Sequence, residues 1–414
     1  MPTARLVDSG LPISHDTYNG VSVASDGNVY YVLCVESFTE GARMYRHDPV
    51  TRITTEVANL TAACGESGAV PQGKSHVNFY EYAGKLYFAT HVGIYSSIDG
   101  KEGMPVPPAG VAPYPGGHFL SYDLGTGQIE RLGLAPGGEG VLTMAFDGPR
   151  GHAYAITWPT GHLLVLDVAA RKVRDLGPIS EQGEAGTGAS YRTLCRSLQV
   201  DPGDGSVYFT ISEGSICRVR FGDSRWSVVE GDDLRKDYFG QYEVSSPGHM
   251  AYNWRQTFWY EPEGVIYGVH GNSGYLFRFD PRNERVEVLD RLTSLPSQRS
   301  GMFDQFSYGY LGFGLGPEDT IYYLTGGPIY ENGRRVAGKP ATARGEAKGQ
   351  ENLHLVLYDI RRGSYEDRGP VLFEDGTRPS YVNSIAIGED ESVYAITRVR
   401  PEAGAHSDLM VIAG

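Results

Sequence analysis

Ser75–His91, SHVNFYEYAGKLYFATH, reads as two short strands folded about an Ala83-Gly84 turn, because β-branched and aromatic residues flank a turn signal. Pairing outward from that turn sets His76 opposite His91 at the open end of the hairpin, with β-carbons about 4.5–5.5 Å apart. The Leu86-Tyr87 step just past the turn belongs to a series. An apolar-Tyr unit recurs at Val29-Tyr30, Leu86-Tyr87, Ala153-Tyr154, Val207-Tyr208, Ile266-Tyr267, Ile321-Tyr322 and Val393-Tyr394. Each copy follows a tight polar turn and is read as the close of a strand. A strand such as VSVAS, VLTMAF or NSIAIG precedes each turn. A third strand follows each unit and often ends on Asp, as in RMYRHD, HFLSYD, HLLVLD, YLFRFD and HLVLYD. A further turn then leads to a fourth strand, such as IERLG, VRDLG, VEVLD or YEDRG.

Four antiparallel strands repeated seven times predict an all-β chain, a seven-bladed β-propeller. Repeat four, SICRVRFGDSRWSVVE, lacks the Asp. Repeat seven supplies only three strands, and Ala4–Asp8, ARLVD, resembles the missing fourth. The N-terminal strand is therefore expected to close the last blade and remove an exposed edge. Residues 1–414 are read as one domain without a linker.

Composition agrees with many short strands: 28 Tyr and 55 Gly stand among 414 residues. The net charge of −14 argues against nucleic acid and anionic membrane as partners, since both need basic surface. It leaves room for a small anionic ligand or oligosaccharide gripped by a few local arginines. The opening MPTARLVDSG has no signal pattern and no apolar run is long enough to span a membrane, so a cytoplasmic protein is expected. Cys34, Cys64, Cys195 and Cys217 have no CxxC spacing and read as free thiols.

Long segments gather in the connections from second to third strand and between blades: Val92–Gly117, Ile179–Leu194, Gly231–Tyr252 and Gly326–Asn352. In an up-and-down blade these connections share one face, which is the expected binding face. The His76/His91 pair opens onto it near the axis, with His76 beginning an innermost strand. Aligning the innermost strands brings Tyr18, Asn19, Asn78, Glu139, Tyr191, Arg192, Arg196, Tyr252, Asn253, Arg255, Tyr308, Tyr381 and Asn383 to the same mouth. The ends of second strands add Trp158, His270 and Arg398.

Histidine, tyrosine and arginine together suit β-elimination on a uronic acid. Arg192, Arg255 or Arg398 would neutralise the sugar carboxylate with bidentate geometry. A His or Tyr would remove the adjacent proton and a second would protonate the leaving oxygen. Two imidazoles in contact repel when both are charged, so one stays neutral and available as a base. The catalytic candidates are His76, His91, Tyr252, Arg255 and Arg192. The candidates for substrate contact are Asn78, Glu139, Trp158, Asn253, His270, Tyr308, Asn383 and Arg398.

A seven-bladed propeller with such a mouth resembles the propeller-fold polysaccharide lyases, including ulvan lyases and oligogalacturonate lyase. The resemblance covers the architecture and, among residues, His76 and His91. It implies a carbon–oxygen lyase acting on a uronic-acid glycan. Oligogalacturonate lyase is metal-assisted, which keeps a divalent metal ion in view as cofactor, held by His76 and His91 with His270, Glu139 or an Asn. No HExxH or EF-hand spacing supports that site. The alternatives are a non-catalytic propeller that binds a glycan or protein partner, and a metal-dependent lactonase or hydrolase. His118, His162 and His354 each stand five residues before the Asp of a third strand. A residue repeated at equivalent places in several blades reads as a building element.

Overall fold

A computed structural model describes residues 1–16, 18–98, 101–245, 250–270, 273–295, 312–328, 330–331, 334–335, 351–379, 381–399 and 406–414. Seven antiparallel sheets form the blades of a propeller. Blade one is Val21–Val23, Val29–Leu33, Arg43–His47 and Thr54–Asn59. Blade two is Tyr80–Tyr82, Lys85–Ala89, His118–Asp123 and Ile129–Leu134. Gly140–Asp147, Gln199–Val200, Trp254–Tyr260 and Gly312–Leu315 are the first strands of blades three to six.

The apolar-Tyr unit opens the second strand of each blade rather than closing a strand, as in Val29–Leu33 and Val393–Val399. Successive side chains on a strand point to opposite faces, and in a propeller both faces pack on neighbouring blades. The unit therefore buries on both sides: Val29, Tyr30 and Tyr31 are all buried. The Ala83-Gly84 turn has φ of 50° and 74°, the two left-handed residues of a type I′ hairpin turn. Between blades one, two and three, Tyr30, Phe88, Phe119 and Leu164 share one apolar cluster. Tyr154, Phe209, Trp254 and Phe277 knit blades three to five.

Blade seven closes as its sequence implies. Thr3–Leu6 pairs antiparallel with His406–Ile412, Ala4 opposite Ile412 and Leu6 opposite Met410. On its other side Thr3 and Ala4 pair in parallel with Leu372 and Phe373. Ser9 N–H donates to Asp408 Oδ2 at 2.9 Å, and Ala4 and Val7 are buried in the seam.

The repeated histidines act as braces. His162 Nδ1 lies 2.7 Å from Asp175 and His354 Nδ1 lies 3.0 Å from Asp367, each joining a third strand to its fourth. His118 Nε2 meets Glu66 at 2.6 Å. The four cysteines are free and buried. Among the described residues no helix is long and apolar enough to cross a membrane.

Candidate functional site

The hairpin of blade two keeps its register only near the turn, where Tyr80 faces Tyr87. Beyond that, the chain steps out of the ladder. Ser75 Oγ donates to Ala89 O at 2.9 Å, and Gln72–Lys74 then pairs with His91–Val92 as a separate short ladder. A register shift falls between Gln72 and Lys74, so the cross-strand partner of His91 is Lys74, not His76. His76 precedes the innermost strand rather than beginning it. Glycine makes this crossing: a Cβ on Gly73 would stand 2.4 Å from Gly93 Cα, and one on Gly93 would stand 2.2 Å from Val35 O.

The two imidazoles still come together, with ring centroids 5.7 Å apart. They lie deeper than the sequence implies. His76 is 5 % exposed and His91 fully buried, so the pair sits beneath the mouth rather than at its open end. Lys74 and Arg255 are also fully buried and Arg196 nearly so. Lys74 Nζ packs on the faces of Tyr18 and Tyr95, 3.8 and 4.1 Å from their ring centroids. It has no hydrogen-bond partner among the described residues.

Burial lowers the Lys74 pKa from 10.5 to about 8, with the Arg196 charge acting the same way against Glu102, Cys34 and Asp16. Burial likewise holds both histidines well below their ordinary value. The charge of Lys74 adds to this at each, Arg196 adds at each, and His91 and Arg255 add at His76. Both rings are neutral near pH 7. His91 Nδ1 lies 2.9 Å from Val92 O. A carbonyl only accepts, so Nδ1 carries the proton and Nε2 keeps a lone pair, which meets no donor among the described residues. Gly140 backs this ring, since a Cβ there would come within 2.7 Å of His91 Cγ.

Around the pair, the Trp158 ring lies 5.5 Å from His91 and 5.1 Å from Tyr95. Trp158 Nε1 donates to Glu184 Oε2 at 2.9 Å, and Glu184 Oε1 pairs with Arg196 Nη2 at 2.7 Å. Tyr18 and Tyr95 also line a cleft of about 140 Å3 with His15, Asp16, Glu36, Ser96, Ser97, Glu102 and Arg398. Arg398 Nη2 lies 2.8 Å from Asp16 there. Gln256 Nε2 donates to Asn19 Oδ1 at 3.1 Å, a bond that runs across the axis from blade five to blade one.

The remaining candidates divide. Arg192 is drawn off by Glu213 at 2.6 Å and Glu181 at 3.1 Å, and the guanidinium groups whose charge reaches His76 belong to Arg196 and Arg255. Tyr252 Oη accepts from Tyr242 N–H at 3.3 Å. Asn253 bonds Thr210 Oγ1 and Thr193 O, both at 2.9 Å, and so ties blades four and five. Glu139 accepts from Thr157 and from Thr160 Oγ1, holding a turn of blade three. His270 stacks on Phe239 at 4.3 Å, with Nδ1 2.8 Å from Ser273 Oγ. Asn383 is buried and Asn78 exposed. Tyr308 lies outside the described residues. Lys74, Tyr95 and Glu184 are the members that sequence reading missed. Lys74 had a signal: it stands two residues before His76 in the same strand approach.

The metal set fares poorly by the chemistry of its donors. Among the described residues no three His, Cys, Asp or Glu side chains stand together as ligands. The neighbours whose charge acts on the histidine pair are Lys74, Arg196 and Arg255, all cations, which disfavours a divalent ion between them.

No family model and no curated protein matches the chain. Among solved structures it is similar to a chain of the Mitotic Checkpoint Complex, at 9% identity and a TM-score of 0.54, covering 100% of this chain and 92% of that one. It is also similar to a puromycin-hydrolyzing peptidase of Mycobacterium tuberculosis, at 11% identity and a TM-score of 0.52. That match covers 99% of this chain and 54% of the peptidase, so the chain spans about half the peptidase's length. YCF48 bound to D1 peptide matches at 12% identity and a TM-score of 0.49, over 99% of this chain and 95% of that one. At such identities the two likenesses with a TM-score above 0.5 establish the fold alone. Activity has to be argued from the site.

Proposed function

We propose that this propeller is a lyase-type enzyme that cleaves a uronic-acid sugar by β-elimination at the axial cluster. One observation carries the reading: two neutral imidazoles lie side by side with Lys74, Arg196 and Arg255 as the charges acting on them. Arg196 and Arg255 supply the cationic surroundings that a sugar carboxylate needs before its neighbouring proton becomes acidic. Binding that carboxylate also offsets the positive charges which hold the histidines down, so the substrate itself raises the basicity of His91.

His91 Nε2 then takes the proton from C5 of the uronate. The freed electron pair forms the C4–C5 double bond, the C4–O bond breaks, and Lys74 gives a proton to the departing oxygen. The resting state returns by proton transfer from His91 to its cross-strand neighbour Lys74. That transfer runs downhill, because Lys74 holds a proton more tightly than the buried imidazole.

A non-catalytic binder of an acidic glycan or small acid is the second reading. It is favoured by the complete burial of His91 behind Trp158 and Tyr95. Ultraviolet absorbance separates the two, because elimination creates a conjugated double bond. Oligogalacturonate and glucuronate-containing oligosaccharides incubated with the full chain are expected to develop that absorbance. His91→Ala is expected to slow it by about 100-fold or more, the range of a lost general base. Saturable binding of the same sugars in a calorimeter without any chromophore would replace the lyase with the binder.

A further inference from the structure

We infer that the paired strands Ser96–Ile98 and Lys101–Gly103 are a lid over the axial cluster, and that solvent and ligand reach His91 when it lifts. The inference concerns access alone and stands whether or not elimination occurs. The segment leaves blade two after His91–Val92 and rejoins it at His118, and both of its roots are pinned. Gly93 stands so close to its neighbours that a Cβ there would lie 2.2 Å from Val35 O and 2.6 Å from Gly73 Cα. Ala112 N–H donates to Gly68 O at 2.8 Å, and Ala112 O accepts from Val70 N–H at 3.0 Å. Between these pins the two strands pair with each other and with no other described strand, Ser96 opposite Gly103 and Ile98 opposite Lys101. A lone pair of strands is marginally stable in water, and such units open at a lower free energy than the sheets that carry them.

Tyr95 is the part of the lid that does the covering. It is half-buried and lines the surface cleft beside Tyr18. The same ring lies 6.2 Å from His91 and 5.1 Å from Trp158, and Lys74 Nζ packs 4.1 Å from its centroid. It therefore separates the cleft from a histidine that has no exposed surface. Ile94 and Met104 pack beside it on the apolar cluster of blades three to five. The far edge is tied to the connection between blades three and four, where Lys101 Nζ donates to Gly186 O at 3.3 Å and stands 4.7 Å from the Tyr191 ring centroid. Neither tie belongs to a blade ladder, so both can break while the sheets stay paired.

Diethyl pyrocarbonate tests this, because it acylates the unprotonated nitrogen of a neutral imidazole. The full chain is treated at pH 7 and mapped by peptide mass, with the part-exposed His162 as reference. The unsubstituted protein should label His162 quickly and His91 slowly. Lys101→Ala should raise the His91 rate about tenfold, as loss of a charged hydrogen bond and a cation–π contact gives, and leave the His162 rate unchanged. Lys101→Arg keeps a cation and a donor and should restore slow labelling. In hydrogen exchange of the unsubstituted protein, the amides of the two lid strands should exchange faster than those of Lys85–Ala89. A His91 rate that Lys101→Ala does not move, or lid strands that exchange only together with Lys85–Ala89, would overturn the inference.

Discussion

Replacing Lys74 with methionine is expected to make the protein more stable at neutral pH, even though it deletes a fully buried side chain's charge. The fall of the Lys74 pKa from 10.5 to about 8 corresponds to about 3 kcal/mol spent on keeping the ammonium charged below pH 8. Methionine fills a similar volume and needs no hydration. It forfeits the two cation–π contacts, roughly 1–2 kcal/mol after sulfur–aromatic contacts replace part of them. The net gain is about 1–2 kcal/mol. A domain of this length unfolds with an entropy near 0.9 kcal/mol/K, so Tm should rise by about 1–2 °C. The sign with pH follows from proton counts. Between pH 8 and 10.5 the unfolded chain holds the Lys74 proton and the native chain has released it, so the unsubstituted protein gains stability as pH rises through that window. The methionine variant has no such slope, and its advantage should shrink as pH climbs from 8 towards 10.5. Urea unfolding of both proteins at pH 7, 8, 9 and 10 measures this. A variant that is less stable at pH 7, or a gap that does not change with pH, would refute the reasoning.

Gly140→Ala should cost about 1–3 kcal/mol by overpacking, because its Cβ would stand 2.7–2.9 Å from three atoms of the His91 ring. Unchanged urea unfolding would show that His91 is not pinned there. Arg196→Met should cost about 3–5 kcal/mol, since it leaves the buried Glu184 carboxylate without its cation. Adding Glu184→Gln should restore most of that loss, and a double-mutant cycle in which the two costs simply add would contradict the pairing.

The blades were legible because their signal is local and repeated: a turn, then an apolar residue and a tyrosine that bury on opposite faces. Closure by Ala4–Asp8 was readable for the same reason, from a likeness to four other fourth strands. The meeting of His76 and His91 came from hairpin pairing, yet its detail did not. The register shift at Gln72–Lys74 depends on Gly73 and Gly93 passing within van der Waals contact, a clash that arises only in three dimensions. The choice of arginine was hidden similarly. Arg192 and Arg196 stand four residues apart in one approach, and what separates them is the distant Glu213, which captures the first, and Glu184, which turns the second inward. A hydrogen bond such as Gln256 to Asn19, 237 residues apart, leaves no mark in spacing or periodicity.

The seam in blade seven sets an order of events during synthesis. Of the described strands, Thr3–Leu6 is made before any other, but the backbone it bonds to, His406–Ile412, is made after all the rest. Until the later strand has been made the earlier one has no antiparallel mate, and Ala4 has no buried place to go. The circle can be sealed only when both strands are present, so a chain cut short before His406 would keep six formed sheets and an unmated first strand.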